Sequence, residues 1–373
     1  MSSTAPLSVA PLLALTLGDV AGIGPELIAM SLARLGADQP AGAVVVGHAG
    51  VLQRAATWAG VVGLRFVDVA GDWPAAQALA SHAPIQGGDK VVRQVPVWLP
   101  AGLPPELMAV PVGQVHPHAG VAAAACIREA VRLAQAGRVA GIVTAPLHKE
   151  ALALAGEPYP GHTELLQAEG APPGQPPAPV RMMLANDQLK TVLVTIHVSL
   201  RQALDMVTTA SVLETIRITH ESARLWGLPS PRIAVAGLNP HAGEGGLFGG
   251  EDIEVIAPAV SQAQALGIDA SGPWAPDTVF MRARHAPPQH PGEFDVVVAM
   301  YHDQGLIPVK YMGLDEGVNV SLGLPFVRTS PDHGTAFDLA GTGRADPRSF
   351  EAAWRMARTL VSARAAAGFR SGG

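Results

Sequence analysis

Residues 12–26 read LLALTLGDVAGIGPE, and this stretch sets the class of fold. The run from Leu12 to Leu17 is nearly all apolar and of the right length for a strand buried on both faces. A glycine-punctuated turn follows. Pro25 then suits the first turn of an apolar helix, where its missing amide would be unpaired anyway. Strand, tight turn and helix in that order open an α/β protein, and the pattern continues outward from there. Further strands are expected at 43–47, 140–145, 191–197, 232–238 and 295–300, separated by Ala-rich helical stretches, so the sheet should be parallel and covered on both faces. Helix starts are marked by Ser199 followed by Gln202 and by Ser211 followed by Glu214, both fitting the capping box, and a third helix is expected over 119–136, ending at Gly137. Proline crowding at 172–179 and breakers at 286–292 read as surface loops. Residues 70–113 show no clear periodicity, and the tail after Arg364 reads as frayed.

The chain has 373 residues, 48% hydrophobic and 15% charged, which excludes a disordered chain and provides for a large core. Its formal net charge is −6 and no basic patch stands out, so nucleic acid is not an expected partner. A small anionic substrate remains compatible, since two well-placed cations suffice. One cysteine, Cys126 in an Ala-rich helical run, permits no intramolecular disulfide and reads as a buried packing residue of a cytoplasmic protein. The first charged side chain is Asp19, yet the apolar N-terminal stretch lacks a basic n-region and is interrupted by Pro6, Pro11 and Gly18. It is expected neither to export the chain nor to span a membrane.

Three histidines stand just past the ends of three strands: His197, His241 and His302. In open α/β sheets the carboxyl ends of the strands form the ligand crevice, and neutral imidazoles there are common ligands of zinc-like divalent ions. An open three-histidine site would leave room for a substrate oxygen. The alternative is three independent, hydrogen-bonded loop residues. Around His241 the chain reads GLNPHAGEGGLFGGED (residues 237–252), too glycine-rich for a plain connection. Lys310, Asn319 and Arg328 follow His302 and offer two cations and an amide to a phosphate or carboxylate, or else form a solvated loop. DHGTAFDLAGTG (residues 332–343) carries Asp338, whose carboxylate could accept from ribose hydroxyls or cap a local turn. APLHK (145–149) and GHTE (161–164) combine turns with polar groups; His162 and Thr163 would orient a polar substrate, unless Thr163 caps a helix. The GDVAGIGPE turn is either ligand-facing or merely tight. It is no dinucleotide fingerprint, because Leu27 stands where the third glycine would be, and it lacks the P-loop lysine.

Together these segments resemble the 4-hydroxythreonine-4-phosphate dehydrogenase family of vitamin B6 biosynthesis, from Gly18 to about Asp346. The motifs are GDxAGIGPE, HK, GHTE, GLNPHAGEGG, AMYHDQG, GVN, LGLPFVRTS and DHGTA, in that order. The resemblance implies an α/β fold of two α/β/α lobes with an inter-lobe cleft, similar to isocitrate and isopropylmalate dehydrogenases and not to Rossmann enzymes. Residues 1–138 plus 300–373 would form the cofactor-side lobe, and 139–299 a central lobe with the metal and dimer contacts. It further implies one divalent metal (Zn, Mg or Co) on His197, His241 and His302, and substrate contacts from His162, Thr163, Lys310, Asn319 and Arg328. NAD would be held by a loop matching His333, Gly334, Thr335, Ala336 and Asp338. A homodimer with active sites at the subunit interface is implied as well.

The implied reaction is oxidation of 4-phosphooxy-L-threonine to 2-amino-3-oxo-4-phosphooxybutanoate. That 3-oxo acid decarboxylates to 3-amino-2-oxopropyl phosphate on the way to pyridoxal 5'-phosphate. Relatives act instead on phosphorylated sugar acids such as 4-phosphoerythronate or 4-phosphothreonate, or on cyclic diol carboxylates. His162, Asp277 and Asp303 are the chemically suitable bases. An open histidine site would equally suit a metal-dependent lyase or hydrolase, and a non-catalytic phosphometabolite-binding protein is a further rival; the DHGTA loop argues against both. Val20 and Ser199 replace prolines usual in the family, and Asp315 and Glu316 place two acids near the anion contacts.

Overall fold

The computed structural model describes residues 11–368 except 37, 70, 88, 89, 173, 314 and 315; Pro6 and Asp315 therefore lie outside the described residues. The chain packs into two compact units. One gathers the chain up to Ala171 with His333–Val361, and the other gathers Pro172–Asp332 with the segment from Ser362.

In the first unit the strands are β1 (Leu13–Thr16), β2 (Ala43–Val46), β3 (Leu64–Asp68), β4 (Ile85–Gly87), β5 (Lys90–Trp98) and β6 (Gly141–Thr144). β1 lies between β6 and β2 in parallel register, with Leu15 opposite both Val45 and Val143. β2 and β3 both run parallel to β5, and β4 closes on β5 antiparallel. Every residue of β1, β2 and β6 is buried, as strands covered on both faces require. The helices are α1 (Gly24–Ala33), α2 (Ala49–Trp58), α3 (Trp73–Ser81), α4 (Pro117–Gln135), α5 (Lys149–Leu154) and α6 (His162–Gly170). Cys126 is fully buried on α4, and burial pushes its thiol up to about 12, so it is a packing residue.

The second unit holds β7 (Arg181–Ala185), β8 (Lys190–Leu193), β9 (Ile233–Ala236), β10 (Ala270–Trp274), β11 (His285–Ala286), β12 (His290–Pro291), β13 (Val296–Ala299), β14 (Val318–Leu322) and β15 (Val327–Pro331). β10, β9, β13 and β8 are parallel; β7, β14 and β15 extend the sheet antiparallel. Its helices are α7 (Leu200–Met206), α8 (Thr209–Leu225), α9 (Ala257–Ala265), α10 (Val279–Ala283) and α11 (His302–Tyr311); α12 (Arg348–Ala366) closes the described chain. Val235 and Val298 pack with Val212, Ile216 and Val260 on one face, while Ala234 and Val297 pack with Leu306 and Val309 on the other. No helix among the described residues is long and apolar enough to cross a membrane.

Several readings shift. Packing assigns residues 139–171 to the first unit, because β6 pairs with β1, and 300–332 to the second, because β14 pairs with β7; the sequence had suggested a central lobe of 139–299. The box at Ser199 and Gln202 forms as expected, but Ser211 is the third residue of α8, whose N-cap is Thr208. The strand expected over 191–197 ends at Leu193. The aperiodic 70–113 stretch holds α3, capped by Asp72, and β5, whose interior Pro96 lies opposite Val67 and disguises the strand in the sequence. The loop at 286–292 is the tip of a hairpin whose two-residue strands are β11 and β12.

Candidate active site

β9, β13 and β8 are neighbours in parallel, so their carboxyl ends deliver His241, His302 and His197 to one edge of the second unit. Thr195 Oγ1 donates to Met300 O at 2.8 Å and ties two of those strand ends together. His197 follows in a left-handed conformation (φ 38°), a strained state for a residue with a Cβ. The His197 and His302 ring centroids are 5.7 Å apart, and both side chains line a cavity of about 220 Å³. A second cavity of about 680 Å³ is lined by His241, Asp277 and Gln304 among others, and Tyr301 and Asp303 line both. His302 Nδ1 meets Asp303 Oδ1 at 2.7 Å. A carboxylate only accepts, so this contact puts a proton on Nδ1 and orients the ring.

The His241 loop owes its shape to an acid. Asp252, fully buried, accepts from Leu238 N–H at 2.7 Å, Asn239 N–H at 3.1 Å and the Asn239 amide at 2.9 Å. A Cβ on Gly237 would lie 2.7 Å from that carboxylate, so only glycine fits. From His241 to Gly246 every residue has positive φ, including His241, Ala242 and Glu244, which form a left-handed turn. Gln304 links this loop to the His302 turn: it accepts from Met300 N–H and donates to Gly237 O, each at 2.7 Å.

The anion residues lie on the antiparallel ribbon of the second unit. The register sets Asn319 opposite Ser330, and Arg328 lies two residues before Ser330 on β15, which puts Asn319 and Arg328 on one face. Arg328 is 2% exposed, donates to Ser321 Oγ at 3.1 Å, and is pushed down to about 10 by burial. Lys310, at the end of α11, is held by Asp332 at 2.7 Å. Glu316 is exposed.

The remaining candidates belong to the first unit. His162 and Thr163 are the first two residues of α6, and Gly161 is its N-cap, so Thr163 does not cap the helix. In the 333–338 loop, His333 and Asp338 are exposed, Thr335 is buried and Ala336 is left-handed (φ 42°). Among the described residues Asp338 caps no turn: the local one is closed by Leu339 N–H on Ala336 O. The GDVAGIGPE turn proves to be a packing device. Its Asp19, Ala21, Gly22 and Ile23 amides go to Pro146 O, Asp19 Oδ1, Asp19 O and Thr335 O respectively. A Cβ on Gly22 would lie 2.9 Å from the Thr335 side chain. Glu26, buried on α1, accepts from Gly341 N–H and Gly343 N–H, both at 2.8 Å.

A family model described as pyridoxal phosphate biosynthetic protein PdxA matches residues 39–357. The chain belongs to the PdxA family. It is 50% identical over 349 residues to 4-hydroxythreonine-4-phosphate dehydrogenase of Beijerinckia indica, covering 93% of this chain and 94% of that one. It is 44% identical over 352 residues to D-threonate 4-phosphate dehydrogenase of Pectobacterium atrosepticum, covering 94% and 99%. The crystal structure of 4-hydroxythreonine-4-phosphate dehydrogenase from Klebsiella pneumoniae superposes with a TM-score of 0.81 at 43% identity, covering 96% of this chain and 99% of that one. The protein is thus a PdxA-family oxidoreductase with the family's mixed α/β fold, and a dehydrogenase implies a nicotinamide cofactor.

Three imidazoles at one sheet edge, one of them oriented by a carboxylate, are a donor set of the right chemistry for a divalent ion. Among the described residues no three metal-binding side chains yet converge on a point; His197 and His302 adjoin, and His241 opens on the larger cavity. Asp252, Gln304 and Glu26 were missed in the sequence. Their signal lay in the motifs themselves, as the acids or amide of GGED, YHDQG and GPE, but their partners are backbone groups that no side-chain pattern reveals.

Proposed function

We propose that this PdxA-family enzyme oxidises the secondary alcohol of a small phosphorylated hydroxy acid, with NAD as acceptor and one divalent ion on His197, His241 and His302. The observation that carries the reading is the Asn319–Arg328 face: a buried guanidinium on the same face of the ribbon as an amide suits a dianionic group such as a phosphate monoester. His162 and Thr163 would orient the substrate from the start of α6. When bound, the metal would supply a Lewis acid that lowers the pKa of the substrate hydroxyl, and NAD a hydride acceptor. Asp303 is occupied in orienting His302, so Asp277 and His162 remain to accept the hydroxyl proton.

We take the substrate to be 4-phosphooxy-L-threonine, whose 3-oxo product decarboxylates to 3-amino-2-oxopropyl phosphate. D-threonate 4-phosphate is the second reading, favoured by the 44% identity to the Pectobacterium relative. The two differ at C2, amine against hydroxyl. A homodimer is part of the proposal: Met281, Ile307 and Tyr311 leave an apolar rim, 62–92% exposed, around the larger cavity. The test is NADH formation at 340 nm with each substrate at equal metal. A kcat/KM at least tenfold higher for the threonine ester is expected; a preference for the threonate ester would select the second reading, and no NADH from either would refute both.

A further inference from the structure

The first unit holds a cavity of about 350 Å³ between the end of α1 and the face of α12, lined by Ser31, Arg34, Glu351, Trp354, Arg355 and Arg358 among others. That volume falls within the roughly 300–1,000 Å³ of small-molecule sites. The spacing on α12 explains the lining, because residues three and four apart share one face of a helix. Its charge is one-sided, with three guanidinium groups against one carboxylate. Glu351 meets Arg34 Nη1 at 3.3 Å, and Asp346, a second acid whose charge reaches Arg34, is held by Arg348 at 2.8 Å. Arg358 is seated by its surroundings: Nη2 donates to Ala41 O at 3.2 Å, and the guanidinium carbon lies 5.2 Å from the Trp354 ring centroid. A Cβ on Gly42 would come within 2.9 Å of that Nη2, so glycine makes room for it.

The end of a helix ordinarily repels an anion, because its last carbonyls are unpaired. Here Arg93, buried on β5, covers them, donating to Leu32 O at 2.6 Å, Gly36 O at 2.7 Å and Gln39 O at 3.1 Å. The lining residues also include two buried groups with unused hydrogen-bonding capacity. Ser31 and Trp354 are 2% and 3% exposed, and neither Ser31 Oγ nor the Trp354 indole Nε1 has a hydrogen-bond partner among the described residues. Such groups are costly unless a ligand or ordered water takes them. An indole N–H only donates, so its partner must be an acceptor.

We propose that this cavity binds a phosphate group, free or carried on a small organic molecule. Three guanidinium groups against one carboxylate leave an excess of two positive charges, which matches a phosphate dianion. The phosphate oxygens also supply the acceptors that the Ser31 hydroxyl and the Trp354 indole lack. A cation would meet the guanidinium groups, and a neutral apolar molecule would leave them desolvated without compensation. The cavity shares no residue with the histidine edge or the Asn319–Arg328 face, so it stands whether or not the function proposed above holds.

The experiment is a calorimetric titration of the full-length protein with inorganic phosphate and with glycerol 3-phosphate at constant ionic strength, together with melting temperatures. Arg355→Gln should weaken one binding event at least about fivefold, and Glu351→Gln, which removes the carboxylate from the lining, should tighten the same event about two- to fivefold. Ser31→Ala should weaken it about threefold while melting at or above the wild-type temperature, because the hydroxyl has no protein partner to lose. Arg34→Gln takes the place of Arg355→Gln if that variant fails to fold. Tighter binding of the ester assigns an organic phosphate to the cavity, and equal or tighter binding of inorganic phosphate assigns the free ion. No phosphate binding by wild type overturns the proposal. So does an isotherm that neither Arg355→Gln nor Glu351→Gln moves, the result expected if phosphate occupies the Asn319–Arg328 face alone.

Discussion

Two glycine-rich segments that look alike in the sequence, 18–26 and 237–252, serve opposite ends in the structure. In the first, the amides of the turn are spent on protein: Pro146, Thr335 and Asp19 take them, and Glu26 reaches out to take two more from the 339–343 loop. Its glycines let backbone pack against backbone. In the second, one buried carboxylate pins the base of the loop, and beyond it the backbone turns left-handed and His241 is exposed. Glycine content therefore reports only that backbone comes close to something. In the second segment too the Ala242, Leu247 and Phe248 amides go to protein carbonyls, so what separates the two is the exposed imidazole that the second loop carries.

The contrast can be broken at His241. His241→Ala should reduce kcat/KM by at least a hundredfold, about 3 kcal/mol of transition-state stabilisation, and remove most bound divalent metal while unfolding stays cooperative. Metal analysis of the purified variant checks it, and an unchanged content would mean the loop does not serve a metal. Glu26→Ala is the converse: it should cost about 3 kcal/mol of stability, since two hydrogen bonds to a buried carboxylate are lost, and it should leave metal content alone. Denaturant unfolding decides.

A pH series sharpens the first half of the comparison. The folded Asp19 carboxyl is raised to about 6 from an ordinary value of 3.8, so the folded state binds a proton more tightly than the unfolded chain. The stability this contributes is fully present below about pH 4 and is lost as pH rises through 6, by about 3 kcal/mol in total. Asp19→Asn should abolish that slope in unfolding free energy between pH 4 and pH 7. The smallest effect is expected at Asp338, whose exposed carboxylate would accept from the ribose hydroxyls and repel a 2′-phosphate. Asp338→Asn should narrow the NAD-over-NADP preference by about tenfold, mainly by improving NADP, with the melting temperature unchanged. Equal cofactor ratios in the two proteins would remove Asp338 from the cofactor site.

The periodic parts of the chain were readable because burial on both faces writes itself into composition: β1, β2, β6 and β13 fall within a residue or two of their expected limits. β5 was hidden because Pro96 contradicts a strand locally while its neighbours β2 and β3 override it. The start of α8 moved from Ser211 to Thr208 because two capping residues three apart offer two readings, and only the backbone chooses. Among the site residues, strand ends located the histidines, since parallel neighbours must release their loops at one edge. Nothing in the spacing disclosed that Lys310 is held by Asp332, or that Asp252 shapes the His241 loop, because both depend on contacts across loops.

The left-handed turn from His241 to Gly246 has a consequence for chemical synthesis. Backbone at φ 52° is strained for L-alanine at position 242 but is the natural conformation of its mirror image. Three of the six residues bear this cost while the other three are glycines, which are indifferent to hand. A semisynthetic chain with D-alanine at 242 would relieve the strain without adding an atom, and the loop would be a place in this molecule where the opposite enantiomer is at home.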